Sequence, residues 1–227
     1  MTDKAQRLRA EALRVYQRYA VEVIEAFGLC PWAAQARRRG QVRVEVLLGA
    51  SWTAAQLLPW LDRLALDVHT EIGLLVLPQV GLDALEFEHF AAEVRRAETA
   101  RGRASTFALA DFHPGGVGHT RSPEAIVRLV RRSPDPTLQL VRHTALANVR
   151  GPADQGKRFV DPAELDQHVG RPMQPAAEPL HARVARVNQE TLTSFGEDRF
   201  LAILEEIARD RAASYAALDA HGEPAPG

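Results

Sequence analysis

The sequence predicts an α/β domain with a four-stranded, mainly parallel sheet, crossover helices, an N-terminal helix and extra C-terminal helices. Helical periodicity alternates with short runs typical of strands. Residues 72–80 and 104–112 are apolar on both faces, as in strands of a parallel sheet. The segments between the strands are long enough for crossover helices. A ferredoxin-like α+β arrangement has a similar list of elements and is the alternative.

The first half of the chain carries one long helix, a strand and a second helix. Residues 5–27 place apolar side chains three or four positions apart, and Gly28 follows where a left-handed cap is expected. Residues 41–49 alternate in polarity as a half-buried strand does. Residues 53–68 return to helical spacing. This order predicts a strand that leads directly into a crossover helix.

The second half of the domain continues the alternation. Asp83 and Glu86 have the spacing of a capping box, which predicts a helix from there to about Arg101. Residues 122–132 form the next helix, and residues 136–142 form the fourth strand. The sequence therefore predicts four strands separated by three helices.

The chain divides into one domain and C-terminal additions. Residues 1–150 hold the α/β domain. Five prolines between 151 and 180 predict a loop or linker. Residues 181–218 form one or two helices, interrupted near Gly196, that pack on the core, and residues 219–227 form a disordered tail.

Composition narrows the classes of function. The chain has 28 basic and 29 acidic residues, so no basic excess favours nucleic acid. Lys4 and Lys157 are the only lysines, which leaves 26 arginines, too many for an isolated arginine to indicate a ligand. A single cysteine, Cys30, forms no intramolecular disulfide and fits a reducing cytoplasm. No segment has the length and apolarity of a membrane span. We expect a cytoplasmic protein without nucleic-acid or membrane partners.

Polar groups collect where the third strand ends. Alternation along the strand places Phe107, Leu109, Asp111 and His113 on one face, with the last two at its carboxyl end. Open α/β sheets bind ligands at that end. We interpret Asp111 and His113 as candidate catalytic residues, with Asp111 orienting an imidazole that moves a proton. In the alternative interpretation they bond to each other and to loop amides in a purely structural role.

The helix start that follows predicts an anion-binding corner. Ser122 has the type of a cap and Pro123 suits the first helical turn. Helix N-termini attract anions, and Arg121 adds a charge beside this one. Arg142, at the end of the fourth strand, either joins this corner or pairs with a surface carboxylate. We therefore list Arg121, Ser122 and Arg142 as candidate substrate-binding residues, although Ser122 alone is explained by capping.

The only thiol of the chain has a second candidate role. Cys30 precedes Pro31 at a predicted helix start, where backbone N–H groups lower the pKa of a thiol. If Cys30 lies near His113, the two form a nucleophilic or redox pair. A lone cysteine between Leu29 and Trp32 is otherwise a small buried hydrophobic residue. Both interpretations stay open at this point.

A metal site is the third possibility at the same place. Asp111, His113 and His119 supply a carboxylate and two imidazoles, which suit iron or zinc. The spacing from 113 to 119 matches no specific ligand pattern. The cofactor is therefore unknown, and a metal ion is the minority alternative.

Several motifs together resemble a known family. The stretches "GLCPWA", "LLVLPQVGLDALEFEHF", "ALADFHP" and "TRSP" followed by "LQLVR" resemble, in order and spacing, the uncharacterised bacterial family catalogued as domain of unknown function 1415. The resemblance runs from about residue 14 to residue 149. The matching motif positions are Cys30, Pro31, Asp111, Phe112, His113, Pro114, Arg121, Ser122 and Pro123.

The chain departs from the family pattern after Pro114. There the family has an aspartate–aromatic pair and a longer insert, whereas this chain has "GGVGH". His119 thus has no family counterpart. Because the family has no established activity, the resemblance implies a site and no particular reaction.

Two hypotheses of function remain. In the first, the protein is an enzyme acting on a small anionic substrate, which Arg121 and the amides after Ser122 hold while His113 moves a proton and Cys30 acts as nucleophile. In the second, it is a non-catalytic module that binds an anion, a metal or another protein. The C-terminal helices would then dock a partner, including a second copy in a homo-oligomer.

Overall fold

A computed structural model gives the structure, which describes the ranges 3–30, 33–102, 105–119, 121–149 and 180–220. The proline-rich segment expected at 151–180 lies outside these ranges except for its last residue, which begins a helix. Of the tail expected at 219–227, the first two residues belong to the last helix and the others lie outside the described ranges.

Eight α-helices and four strands alternate along the described chain. The helices are α1 Asp3–Tyr19, α2 Ala33–Arg38, α3 Ala54–Leu66, α4 Ala84–Thr99, α5 Pro123–Val130, α6 His143–Val149, α7 Leu180–Phe195 and α8 Glu197–Ala220. A π-helical segment, Ala20–Glu25, extends α1. The strands are β1 Val42–Val46, β2 Ile72–Val76, β3 Phe107–Phe112 and β4 Thr137–Arg142. The α/β class is confirmed.

The sheet is mixed, so the prediction of a mainly parallel sheet is wrong. Its strand order is β1-β2-β4-β3. β1 and β2 are parallel, whereas β4 lies between β2 and β3 and is antiparallel to both. Consequently the carboxyl ends of β1, β2 and β3 lie at one end of the sheet, where β4 begins.

The connection between β3 and β4 explains this reversal. The backbone N–H of His113 donates to the carbonyl of Arg131 at 3.0 Å, so the end of α5 lies beside the end of β3. The loop after β3 runs back along α5, since a Cβ on Gly118 would lie 2.3 Å from the carbonyl oxygen of Ala125. The loop and α5 thus run in opposite directions along the same path. The chain therefore enters β4 at the end of the sheet where it left β3.

Helices cover both faces of the sheet, unlike the single helical layer of the ferredoxin-like alternative. On one face α3 and α4 pack on alternate strand residues such as Leu75 and Leu138. On the other face α1, α5, α7 and α8 pack on Leu74, Val76 and their neighbours. Adjacent residues of one strand therefore belong to different core clusters.

The C-terminal helices contribute to the second of these clusters. Leu192 of α7 and Phe200, Leu204 and Ile207 of α8 are buried there with side chains of α1. The core is thus built from both ends of the chain.

A partly buried ion pair adds to the docking of α8. The carboxylate of Asp135, which is fully buried, accepts bonds from Arg211 Nε and from the Tyr215 hydroxyl, each at 2.7 Å. These two residues are one helical turn apart on α8, so they fix its position against the segment that leads into β4.

Local signals in the sequence agree with the observed element ends. Gly28 has φ +59° and Gly196 has φ +93°, as a stop after a helix and a break between helices require. Asp83 and Glu86 form the expected capping box, and Ser122 caps α5. Among the described residues, none of the helices combines the length and apolarity that crossing a membrane requires.

Candidate functional site

The His113 imidazole is held by backbone groups on both sides. Its Nε2 lies 3.0 Å from the carbonyl oxygen of Leu82, and the N–H of Gly115 donates to Nδ1 at 3.0 Å. Since Nδ1 accepts, Nε2 carries the proton and donates to Leu82. The ring also packs on Phe87, with centroids 5.6 Å apart. The imidazole therefore joins the loops after β2 and β3, as the structural interpretation expected, but the bond to Asp111 that it also expected is not found among the described residues.

The environment of His113 favours the neutral ring. Burial lowers the pKa of His113, and the bond to Leu82 and the charges of Asp83 and Asp111 only partly oppose this shift. Asp111 thus acts on the ring through its charge, while the backbone sets the ring's orientation. A base whose acceptor nitrogen is already bonded cannot take a substrate proton without breaking that bond.

Asp111 faces α4, on the side of the sheet that the strand alternation predicts. Its carboxylate lies 3.8 Å from Arg95 of α4, at the outer limit of an ion pair. The same guanidinium donates to the carbonyl of Leu109 at 3.3 Å. Asp111 therefore lies beside an arginine that the sequence analysis did not single out.

The structure does not assemble the metal triad of Asp111, His113 and His119. His113 uses both ring nitrogens for backbone bonds, and Nδ1 of His119 accepts the N–H of Arg121 at 3.2 Å. Within the described ranges, no three His, Cys, Asp or Glu residues are grouped so that they could hold a metal ion.

The start of α5 is capped from within the chain. The Ser122 hydroxyl accepts the N–H of Ala125 at 3.2 Å, and Pro123 has no N–H. Little of the helix terminus is thus left for an anion. Arg121 is exposed, as the anion-corner hypothesis requires, but its neighbourhood offers fewer donors than the sequence suggested.

The glycines after Pro114 bring the loop close to protein backbone. A Cβ at Gly118 would also lie 2.5 Å from the amide nitrogen of Leu129. Their close approach is therefore to α5 and not to a ligand. A cavity of about 30 Å³ beside this loop has room for about one water molecule, and its lining includes Pro114, Arg132, Ser133, Leu204 and Ile207.

Cys30 lies near Tyr16 and Tyr19, which belong to the core cluster of α1, α5, α7 and α8. The thiol is half-buried. Burial raises the pKa of the Tyr16 and Tyr19 hydroxyls, and the negative charge of the thiolate form of Cys30 would raise both further. Helix α2 begins at Ala33, and residues 31–32 lie outside the described ranges, so the capping geometry predicted for Cys30 is not described.

Arg142 and His113 lie at opposite ends of the strands, because β4 runs antiparallel to β3 and Arg142 pairs with Phe107. Its guanidinium donates to four backbone carbonyls around the end of α3, those of Leu64, Ala65, Asp67 and Thr70, at 2.8 to 3.3 Å. The structure therefore makes Arg142 a cap of α3 and separates it from Arg121 and Ser122.

Arg131 is the residue that sequence reasoning missed. It follows α5, and its guanidinium lies 5.6 Å from the ring centroid of Phe112. Burial lowers the pKa of Arg131, and the charges of Asp111 and Glu88 partly offset this effect. No hydrogen bond or ion pair of this side chain is found within the described residues. Among 26 arginines, nothing in the sequence distinguished it.

Arg131 also relates the two motifs that carry Cys30 and Asp111. The charges of Cys30 and Arg131 both act on the pKa of Tyr19, and those of Asp111 and Arg95 act on the pKa of Arg131. Cys30 is thus linked to Arg131 only through Tyr19, whereas the His113 ring packs on Phe87 of the cluster on the opposite face of the sheet.

Comparison with known proteins identifies the family alone. No curated protein and no solved structure matches the chain. Residues 12–156 match the family described as "Protein of unknown function (DUF1415)". This match covers more than half of the chain and contains all four strands, the His113 loop and Arg131. The protein therefore belongs to the DUF1415 family.

Proposed function

We propose that this protein binds a small anionic molecule at Arg131. One observation carries the proposal: a half-buried guanidinium next to the core has no hydrogen-bonding partner in the described part of the chain. Guanidinium donors removed from water need an acceptor, and a carboxylate or phosphate matches their planar fork. Arg95 supplies a second guanidinium nearby.

Binding is better supported than proton-transfer catalysis. The residue expected to move a proton, His113, has both ring nitrogens bonded to backbone. The proposed site therefore differs from the sequence-based one: Arg131 and Arg95 replace Arg142, and the capped start of α5 becomes the competing location.

Thermal unfolding in inorganic phosphate tests the proposal. A ligand that binds only the folded chain raises Tm, by roughly 3–6 °C at tenfold excess over Kd for a chain of this size. Arg131→Ala should remove the increment, and Arg128→Ala, an exposed position on α5, should keep it. Loss of the increment in Arg121→Ala with retention in Arg131→Ala would instead locate the anion at the start of α5.

Catalysis through Cys30 is a second candidate function. It is favoured by the position of Tyr19, which lies within electrostatic reach of both Cys30 and Arg131. A thiolate beside a bound anion's reactive carbon would be a nucleophile. Iodoacetamide should then alkylate Cys30 at pH 7 faster than a model thiol of pKa about 8.5. Phosphate should slow the reaction, and a rate that phosphate leaves unchanged would contradict this candidate.

A further inference from the structure

β3 forms one edge of the sheet, and its hydrogen-bonding alternation is fixed by one contact. The N–H of His143 donates to the carbonyl of Thr106 at 3.1 Å. In antiparallel pairs, alternate residues bond to the partner strand, so even-numbered residues of β3 face β4. The N–H and C=O groups of Phe107, Leu109 and Asp111 therefore point away from the sheet.

Part of this outer edge has no partner among the described residues. Ser105 Oγ donates to the carbonyl of Phe107, and Arg95 donates to that of Leu109. The N–H of Leu109 and both backbone groups of Asp111 form no such bond in the described chain. A partly exposed edge with open donors and acceptors is a template for another strand.

The α4 surface beside this edge carries opposite charges on one stripe. Glu88 and Arg95 are seven residues apart and thus on the same side of the helix, with the small Ala92 between them. Within the described ranges, Glu88 is exposed and forms no ion pair, and the one carboxylate that reaches Arg95 is that of Asp111, at 3.8 Å. The stripe therefore carries one anion, Glu88, and one cation, Arg95.

We infer that β3 pairs antiparallel with β3 of a second copy of this chain, giving one continuous eight-stranded sheet. A two-fold interface requires a surface that complements itself. An axis near Ala92 would place Glu88 of each copy opposite Arg95 of the other. A uniformly acidic or basic partner would match only one of the two charges. The inference does not depend on anion binding, and it uses β3 in place of the C-terminal helices suggested by the sequence.

Sedimentation equilibrium of the full chain tests the backbone pairing. Asp111→Pro removes an N–H that β4 does not use, and edge strands accept proline at such positions. Asp111→Ala is the matched control, since it removes the carboxylate and keeps the N–H. We expect a dimer for the wild type and for Asp111→Ala, and a monomer for Asp111→Pro. A wild type that is monomeric at the highest attainable concentration, or a dimer that survives Asp111→Pro, would overturn the inference.

A charge-swap series tests the helix contacts and decides the question if Asp111→Pro fails to fold. Glu88→Arg and Arg95→Glu each put like charges across the axis, which should weaken the dimer by roughly tenfold or more. The double variant restores opposite charges and should return the dissociation constant to near the wild-type value. A double variant no tighter than the singles would refute the two-fold arrangement.

Discussion

At the scale of single residues, backbone groups determine what His113 does. The two loops that meet at this ring offer a carbonyl on one side and an N–H on the other. Only a neutral imidazole satisfies both, because a protonated ring has two donors and no acceptor. Burial supports the same protonation state by lowering the pKa of His113.

Stability should therefore depend on pH through His113. Its folded pKa lies below the unfolded value of about 6.5, so the unfolded chain takes up the proton first as pH falls. The stabilising contribution of the neutral ring is complete above the unfolded pKa and is lost as pH falls from there through the folded pKa. Urea unfolding between pH 5 and 7.5 should show a steeper loss for the wild type than for His113→Asn. Parallel curves would contradict this protonation scheme.

Gly118 should tolerate no side chain. A Cβ there would lie within 2.5 Å of two backbone atoms of α5, which cannot move without shifting the helix. We expect Gly118→Ala to lower the free energy of unfolding by about 1–3 kcal/mol. Gly81→Ala is the control, since a Cβ there meets nothing within 4 Å. Equal urea midpoints for both variants would show that the loop does not rest on α5.

At the scale of elements, helix ends are stabilised by both near and distant residues. The caps of α4 and α5 come from Asp83 and Ser122, directly before each helix. The end of α3 is instead capped by Arg142, more than 70 residues further along the chain. The caps of α4 and α5 could be predicted because the capping residue directly precedes each helix. The cap of α3 could not, because only the folded chain brings Arg142 to it.

Arg142→Ala should thus act on stability and not on anion binding. Bonds from a charged donor to several carbonyls at a helix end suggest a loss of about 2 kcal/mol in the free energy of unfolding. The Tm increment produced by phosphate should stay unchanged. A variant of wild-type stability that no longer responds to phosphate would return Arg142 to the binding site.

The same distinction explains the direction of β4. Its composition and length identify a strand, but apolar runs look alike in parallel and antiparallel sheets. The reversal depends on the bond between His113 and Arg131 and on the contact of Gly118 with α5. These contacts join residues 7 to 18 positions apart and have no local sequence pattern. The sequence could therefore place Asp111 and His113 on one face but could not identify Arg131 as their neighbour.

At the scale of the whole molecule, the family region and the C-terminal helices share one core. The family match ends at residue 156, yet Leu192, Phe200 and Ile207 are buried beside Tyr19 of α1. Truncation at the family boundary would expose this side of the core to water.

Phe200→Ala should consequently destabilise the whole protein. Removing a fully buried phenylalanine costs about 3–5 kcal/mol, and the loss should appear in one transition that includes the strands. Far-UV circular dichroism and the fluorescence of Trp52 and Trp60, which pack on the opposite face of the sheet, should give coincident curves during unfolding. Separate transitions, with only the helical one shifted, would mean that the C-terminal helices fold as an independent unit.

The location of a bound anion is the central claim, and anomalous diffraction measures it directly. A crystal grown with selenate, which has the shape and charge of sulfate, reveals the anion by the scattering of selenium. We expect a selenium peak next to the Arg131 guanidinium, with selenate oxygens at about 2.7–2.9 Å from its nitrogens. A peak at Arg121 and the start of α5, with none at Arg131, would contradict the account.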